Sequence, residues 1–128
     1  MLEIILEKLK KNLLEKGILN SNDKIERLES LLKIYSVGDY IYPGILIAEL
    51  DIDAVECYKI LSLLEEMKIV DKSFEEYCRE CKKVNGKIHD SFADIPEEIY
   101  CKFCGRQLDP IDDVIVIYRV IRDEVNGE

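Results

Sequence analysis

Two cysteine pairs lie near the ends of the stretch YCRECKKVNGKIHDSFADIPEEIYCKFCGRQL, residues 77–108. The four cysteines are Cys78, Cys81, Cys101 and Cys104. Their spacing, C-x2-C-x19-C-x2-C, is typical of a four-cysteine zinc site. Two residues between cysteines let a tight turn direct both sulfurs at one ion, and Gly105 follows the second pair. We therefore expect one structural zinc ion bound by these four thiolates.

Three other uses of the cysteines are weaker. Two disulfides would need an oxidising compartment. A redox C-x-x-C motif usually occurs singly, at a helix start. A catalytic zinc ion keeps one ligand position open, and four cysteines leave none. We expect His89, in a polar turn, to face solvent rather than bind metal, and Cys57 to be a small buried core residue rather than a reactive thiol.

The residues around the cysteines suggest short strands. Asn85-Gly86 is a dipeptide typical of a hairpin turn, so we expect a turn there. The segment DVIVIYRVI, residues 113–121, predicts a closing strand. Both faces of that strand are apolar, so its second face packs on the rest of the chain or on a partner. Ile115 and Ile117 are candidate partner contacts on this strand.

The N-terminus predicts an amphipathic helix over residues 2–16, ended by Gly17. Its apolar stripe is Leu2, Ile5, Leu6, Leu9 and Leu13. Such a stripe must pack on its own domain, on a second copy or on another protein. We expect an intermolecular contact, which makes these five residues candidate interface residues. A second helix is predicted over roughly residues 23–36.

Residues 40–77 predict a short strand, a helix from Pro43 to about Leu50, a turn at 51–53, a longer helix over about 53–67, and two short strands around Asp71 to Ser73. The segment ILIAELDIDAVECYKILSLLEEMKIVDKS, residues 45–73, resembles the winged helix-turn-helix pattern. The resemblance implies that Ala48 lies at a close helix contact and that Cys57, Leu61 and Leu64 are buried. Lys68 departs from it, because the family usually has glycine after the second helix.

Taken together, the patterns predict an α+β fold: N-terminal helices and a winged helix-turn-helix followed by a small C-terminal zinc ribbon. The expected domains are an N-terminal helix (1–20), the winged helix (21–76) and the ribbon (77–128). Over roughly residues 23–110, this order resembles the alpha subunit of the general transcription factor E of archaea and its eukaryotic counterpart. The resemblance implies a role in transcription.

Charge argues against nucleic acid as the main partner. The net charge is −9, with +1 over residues 1–35 and −10 over the remainder. The positions that would face DNA include Asp53 and Glu56. The candidate nucleic-acid contacts are Lys59, Arg79, Lys82, Lys83, Lys102 and Arg106. These cations could instead balance neighbouring carboxylates and the zinc thiolates.

We expect a non-enzymatic adaptor or assembly subunit that binds a protein partner or itself, with a DNA-binding transcription regulator as the alternative. The sequence has no nucleophile motif or phosphate-binding glycine loop that would indicate an enzyme or a small-molecule substrate. Charged residues interrupt the N-terminal apolar stretch, and no apolar run approaches the roughly 20 residues needed to span a bilayer. We therefore expect no membrane association and a cytoplasmic location.

Overall fold

The computed structural model describes residues 1–122, and over this range the chain combines four α-helices with antiparallel strands. The predicted α+β class is thereby confirmed. The helices are α1 (Glu3–Lys16), α2 (Asn22–Leu32), α3 (Pro43–Leu50) and α4 (Ala54–Glu66). The strands are β1 (Tyr40–Ile41), β2 (Val70–Cys78), β3 (Lys83–His89), β4 (Ile99–Tyr100), β5 (Gln107–Leu108) and β6 (Val114–Val120), with a short 3₁₀ turn at Phe92–Asp94.

The chain divides into two compact units. The first, here called the helical unit, comprises Met1–Asp71 and the described residues from Tyr118 onward. The second, here called the cysteine unit, comprises Lys72–Ile117 and contains all four cysteines of the two C-x-x-C pairs. Among residues 1–122, no helix combines the length and apolar character needed to cross a bilayer.

The helix ends follow from local chemistry. Gly17 ends α1 in the left-handed conformation at φ +67°, as predicted. The Ser21 hydroxyl accepts from the Lys24 N–H at the start of α2, and the Asp53 carboxylate accepts from the Glu56 N–H at the start of α4. The second helix ends at Leu32, four residues earlier than predicted. The apolar pattern continues past the end of α2, but the hydrogen-bonded helix does not.

The apolar stripe of α1 is part of the core of the helical unit. Ile5, Leu6, Leu9 and Leu13 are at most 1% exposed, and α1 packs on α2 and α4. The expected intermolecular contact is therefore wrong for these four side chains, because their own unit already covers them. Leu2 is the exception in the stripe, since it is 55% exposed.

Helices α3 and α4 lie where the sequence predicted them. Pro43 opens α3, and Cys57, Leu61 and Leu64 are fully buried on α4. The expected close helix contact at Ala48 is wrong, because Ala48 is exposed. Lys68 adopts φ +63°, so it takes the left-handed conformation that glycine normally supplies after such a helix.

The strands β1, β6, β2 and β3 are hydrogen-bonded in that order, and β4 pairs with β5. The predicted turn at Asp71 to Ser73 is absent, because β2 runs unbroken from Val70 to Cys78. Polar residues there favoured a turn, but these residues extend a strand that lies between β6 and β3 and whose pairing with β3 begins at Phe74. Tertiary context thus overrides the local preference. The predicted closing strand is confirmed as β6.

Strand β3 also replaces the predicted hairpin turn at Asn85-Gly86. Both residues lie within β3, beside a register shift in its pairing with β2 between Glu75 and Tyr77. Gly86 has φ +83°, which a strand accommodates at such an irregularity. The Asn-Gly signal therefore marks a local distortion of a strand rather than the end of one.

The core of the cysteine unit is small. Its buried cluster is Phe74, Cys78, Ile95, Ile99, Cys101 and Leu108. On β6, Ile117 is fully buried, so it is unavailable to a partner in the folded chain, whereas Ile115 is half-buried.

Candidate metal centre

The cysteine unit brings four sulfur atoms together. The Sγ atoms of Cys78, Cys81, Cys101 and Cys104 all lie within 4.8 Å of one another, and none of these cysteines forms a disulfide. Cys78 and Cys104 have Sγ atoms 3.8 Å apart, and those of Cys81 and Cys101 are 3.9 Å apart. Sulfur ligands about 2.3 Å from a tetrahedral ion are about 3.8 Å apart, so the cluster fits one metal ion.

Two similar turns position these sulfurs. In the first knuckle, residues 78–82, the Cys81 N–H donates to Cys78 Sγ at 3.5 Å. In the second knuckle, residues 101–105, the N–H groups of Phe103 and Cys104 both donate to Cys101 Sγ at 3.4 Å. The backbone therefore aims hydrogen-bond donors at the first sulfur of each pair, which favours the thiolate form.

Each knuckle closes with a residue in the left-handed conformation. Lys82 has φ +57° and Gly105 has φ +76°. The Lys82 N–H donates to the Cys78 carbonyl at 2.7 Å, and the Gly105 N–H donates to the Cys101 carbonyl at 2.9 Å. The two turns thus share one geometry, although only the second uses glycine at the position that favours it.

The thiol pKa values differ within the cluster. The N–H of Cys81 lowers the pKa of Cys78 to about 6, against the opposing effect of burial and with help from Arg106. The N–H of Cys104 lowers the pKa of Cys101. Hydrogen bonding to Cys104, followed by burial, raises the pKa of Cys81 to about 12. Cys78 and Cys101 are thus better prepared than Cys81 to meet a cation as thiolate.

A buried carboxylate connects both knuckles. Asp113 is fully buried, and its Oδ1 accepts from Arg79 Nε at 2.9 Å and from Arg106 NH2 at 3.1 Å. Burial raises the pKa of Asp113, but the bonds from the Asp109 N–H and the two arginines outweigh it and hold the pKa below its ordinary value. Arg106 also donates to Cys78 Sγ at 3.7 Å. Asp113 thereby orients a guanidinium toward a metal-facing sulfur.

The predicted nucleic-acid contacts have separate surroundings. Arg79 and Arg106 are committed to Asp113, as the charge-balancing alternative predicted. Lys83 and Lys102 place their ammonium groups 4.7 and 5.2 Å from the ring centroid of Phe103, which is 53% exposed. The remaining two candidates, Lys82 and Lys59, are exposed; Lys59 lies on α4, in the helical unit.

His89 does not face solvent, so that expectation is wrong. Its Nε2 lies 2.6 Å from the Glu76 Oε2, and its side chain is only 15% exposed. His89 pairs with Phe74 of β2, and the polar composition of its segment gave no sign of that pairing. Cys57 is fully buried, as predicted, and burial raises the pKa of its thiol to about 11.

Three polar residues of the cysteine unit were not recognised from the sequence as part of the site's surroundings: Glu76, Asn85 and Asp113. Each is buried and hydrogen-bonded, directly or through one neighbour, to a cysteine knuckle. Asn85 precedes a glycine and was assigned to a turn, whereas Asp113 opened the predicted closing strand with no role assigned to its side chain. The one available signal was that Asp113 directly precedes the apolar segment that forms β6.

Comparison with known proteins identifies no relative: no protein-family model, no curated protein and no solved structure matches the chain significantly. The chemistry of the four-sulfur cluster and the surfaces of the two units are therefore the basis for assigning a function.

Proposed function

We propose that the chain is a non-enzymatic protein-interaction adaptor whose cysteine unit is held together by one structural zinc ion. The single observation that carries the metal assignment is the set of four sulfurs within 4.8 Å of one another. Zinc favours a tetrahedral set of thiolates, and four protein ligands leave no position for a substrate or an activated water. The ion's role is then to hold the fold.

The fold assignment belongs to the same proposal. We interpret α2, α3 and α4 with their flanking strands as a winged helix-turn-helix, and the two knuckles as a zinc ribbon. The order of β1, α3, a turn at 51–53, α4 and β2 supports this. The absence of a turn in β2 at Asp71 to Ser73 removes the turn that was predicted between two short strands of the wing. The likeness to the alpha subunit of transcription factor E remains an interpretation of this order.

The outward face of α4 favours a protein partner over DNA. Asp53 caps the helix, and Glu56 accepts from the Leu19 N–H at 2.8 Å, so both acidic groups have structural partners. Val55 and Tyr58 are 65% and 43% exposed and line an open groove of about 540 Å³. An exposed apolar strip on a helix suits a protein surface, whereas a DNA-reading helix needs polar and basic side chains there.

The alternative, a DNA-binding regulator, has one observation in its favour. Lys83 and Lys102 lie beside exposed Phe103 at the second knuckle, and a cation–aromatic cluster can contact phosphates. The net charge of −9 opposes it. We place the protein in a reducing compartment such as the cytoplasm, because free cysteines bind metal there rather than oxidise.

Two measurements test the proposal. Protein purified under reducing conditions should contain one zinc ion per chain by elemental analysis; a preparation that folds without bound metal contradicts the metal assignment. Affinity capture from the source cell should recover protein partners that the double variant Val55→Glu, Tyr58→Glu no longer retains. Ile34→Glu, exposed in the same unit, is the matched control.

Binding of random-sequence duplex DNA decides between the two functions. We expect only weak, salt-sensitive association, with dissociation constants no tighter than roughly 10⁻⁴ to 10⁻⁶ M at physiological salt. A tight sequence-specific site that is lost in Lys59→Ala, with partners retained by the α4 double variant, would instead support the regulator.

A further inference from the structure

A buried polar chain lies beside the metal centre and is not explained by the four ligands. Glu76 is 1% exposed and Asn85 is 7% exposed, and both belong to the cysteine unit. Burying an amide or a carboxylate costs free energy unless hydrogen bonds replace those lost to water. The cysteine unit has a small apolar core and still buries both Glu76 and Asn85. The hydrogen-bond partners of these two side chains therefore indicate their structural role.

Asn85 uses its amide on the backbone of the second knuckle. Its Nδ2 donates to the carbonyl of Tyr100 at 3.0 Å, and its Oδ1 accepts from the N–H of Lys102 at 2.8 Å. Tyr100 and Lys102 are the two neighbours of Cys101. One side chain therefore holds the backbone on both sides of a metal-facing cysteine.

Glu76 sets the orientation of this amide. Its Oε1 accepts from Asn85 Nδ2 at 2.7 Å, and its Oε2 lies 2.6 Å from His89 Nε2. An ionised carboxylate only accepts, so Asn85 must turn its NH₂ group toward Glu76 and keep its oxygen for Lys102. Both oxygens of Glu76 are occupied, which leaves the amide one hydrogen-bonded arrangement.

The local backbone places Asn85 at this position. The register of β3 against β2 shifts between Glu75 and Tyr77, and the residue after Asn85 is Gly86 at φ +83°. A Cβ atom on Gly86 would lie 3.1 Å from Lys102 Nζ. The strand irregularity and the glycine thus bring β3 close to the second knuckle at the point where the amide reaches it.

We infer that Asn85 is a positioning residue for the metal centre. Its amide is held by Glu76, which itself contacts His89, and it binds the peptide groups on both sides of Cys101. Asn85 thereby presets the direction of the Cys101 thiolate. The inference rests on the proposed metal site. Asn85 contacts the ligand's backbone rather than the ion. Residues that orient metal ligands in this way typically change metal affinity by about 10- to 100-fold when they are removed.

Zinc affinity and the absorption spectrum of the cobalt-substituted protein test this role in the full chain. Asn85→Leu keeps the branching of the side chain at Cγ but removes all three hydrogen bonds, so zinc affinity should fall about 10- to 100-fold in a chelator competition. The cobalt bands should also shift, because the geometry of the sulfur ligands changes. Asn85→Asp keeps the acceptor but loses both donors, and it should weaken binding by at least roughly tenfold.

Phe74→Leu is the matched control, because Phe74 lies in the same small core but its hydrocarbon side chain makes no hydrogen bond to a knuckle. That variant should melt earlier but keep the wild-type cobalt spectrum. If Asn85→Leu and Asn85→Asp bind zinc no more weakly than Phe74→Leu and keep the wild-type spectrum, the inference is overturned.

Two further outcomes are decisive. If neither Asn85 variant folds, amide exchange of wild-type Lys102 decides: a slowly exchanging N–H supports the hydrogen bond to Asn85, and a fast one overturns it. If the wild-type chain takes up no metal, the proposed function fails together with the inference. If the wild type binds zinc and the variants match the control, only the inference fails.

Discussion

The two units bury very different amounts of apolar surface. Most of the fully buried leucine and isoleucine side chains lie in the helical unit, among them Leu9, Leu28 and Leu61, whereas the cysteine unit has Leu108 and Ile117. The buried cluster of the cysteine unit has six members, and two of them, Cys78 and Cys101, are candidate metal ligands. A core of that size does not offset the entropy of ordering a chain, so small units usually need a metal or a disulfide. We therefore expect that packing alone maintains the helical unit, whereas the cysteine unit would depend on a bound ion.

Metal removal should produce the largest effect and should separate the two units. We expect chelation, or Cys101→Ser, to unfold the cysteine unit, because zinc binding in such sites is worth about 10–16 kcal/mol of folding free energy. Residue-resolved hydrogen exchange should show lost protection in β3 and β4 while α2 and α3 stay protected. Cys57→Ala, outside the cluster, should keep the metal. If β3 and β4 keep the same protection from hydrogen exchange without metal, the cysteine unit does not depend on a bound ion.

Deletion of residues 1–19 should have the converse effect, on the helical unit. It removes Ile5, Leu6, Leu9 and Leu13, and each fully buried side chain of this size is worth roughly 1.5–3 kcal/mol. The sum approaches the total stability of a typical domain, about 5–15 kcal/mol, so helical circular dichroism should collapse. Leu2→Ser, at a 55% exposed position, is the control and should leave the helical circular dichroism unchanged. A truncated chain that stays helical would show that α1 is dispensable.

Asp113→Asn should weaken the cysteine unit by an intermediate amount. The substitution removes the charged acceptor of Arg79 and Arg106, at a cost of about 2–3 kcal/mol. Exposed Asp112→Asn is the matched control, and denaturant titration of the metal-loaded protein is the measurement.

The effect of Asp113 should also depend on pH in a defined direction. Its pKa in the folded chain lies below the ordinary value, so its stabilisation is complete above about pH 4 and is lost as the pH falls through the folded value. The difference between wild type and Asp113→Asn should therefore shrink in acid. A difference that stays constant down to low pH would contradict an ionic role for this carboxylate.

Cys57 should make the helical unit sensitive to alkali. Its pKa is raised from 9.0 to about 11, so the folded chain holds a proton that the unfolded chain has lost between these values. Stability should fall by roughly 2 kcal/mol as the pH rises across this window. Cys57→Ala should lose that slope when the two proteins are compared by denaturant titration. Parallel pH profiles would show that the thiol does not titrate in this range.

The smallest expected difference is between the two knuckles. Gly105→Ala places a side chain at φ +76°, which costs about 1 kcal/mol. Lys82→Gly removes the side chain from the same left-handed conformation, at φ +57°, and should stabilise the protein. The gain should be somewhat smaller than the loss in Gly105→Ala, because glycine loses more conformational entropy on folding. Thermal unfolding of the zinc-loaded variants measures both. Shifts of the same sign would mean that the knuckles are not equivalent.

Local sequence signals predicted most helices because each signal acts over a few residues. Gly17 ends α1, Pro43 opens α3 and Asp53 caps α4 without help from distant residues. The spacing of the cysteines likewise predicted the cluster of four sulfurs, since each C-x-x-C turn positions two sulfurs by itself. The α+β class followed from these elements and from the apolar run that forms β6.

The misplaced features depend on pairing between distant segments. Asp71 to Ser73 has the composition of a turn, yet it continues β2, a strand that lies between β6 and β3 in the sheet. Asn85-Gly86 has the composition of a hairpin, yet it lies within β3 and its amide holds a knuckle 16 residues away in sequence. No local sequence pattern indicates which distant segment a strand will pair with.

The sequence by itself determined the four candidate metal ligands, the helix boundaries set by caps and glycines, and the fold class. Only the tertiary structure decided that the α1 stripe is core, that His89 and Glu76 meet in the interior, and that Asp113 and Asn85 brace the knuckles. Burial is a property of the whole chain: the same apolar stripe or polar side chain is interior or surface according to what packs on it, and that partner lies tens of residues away.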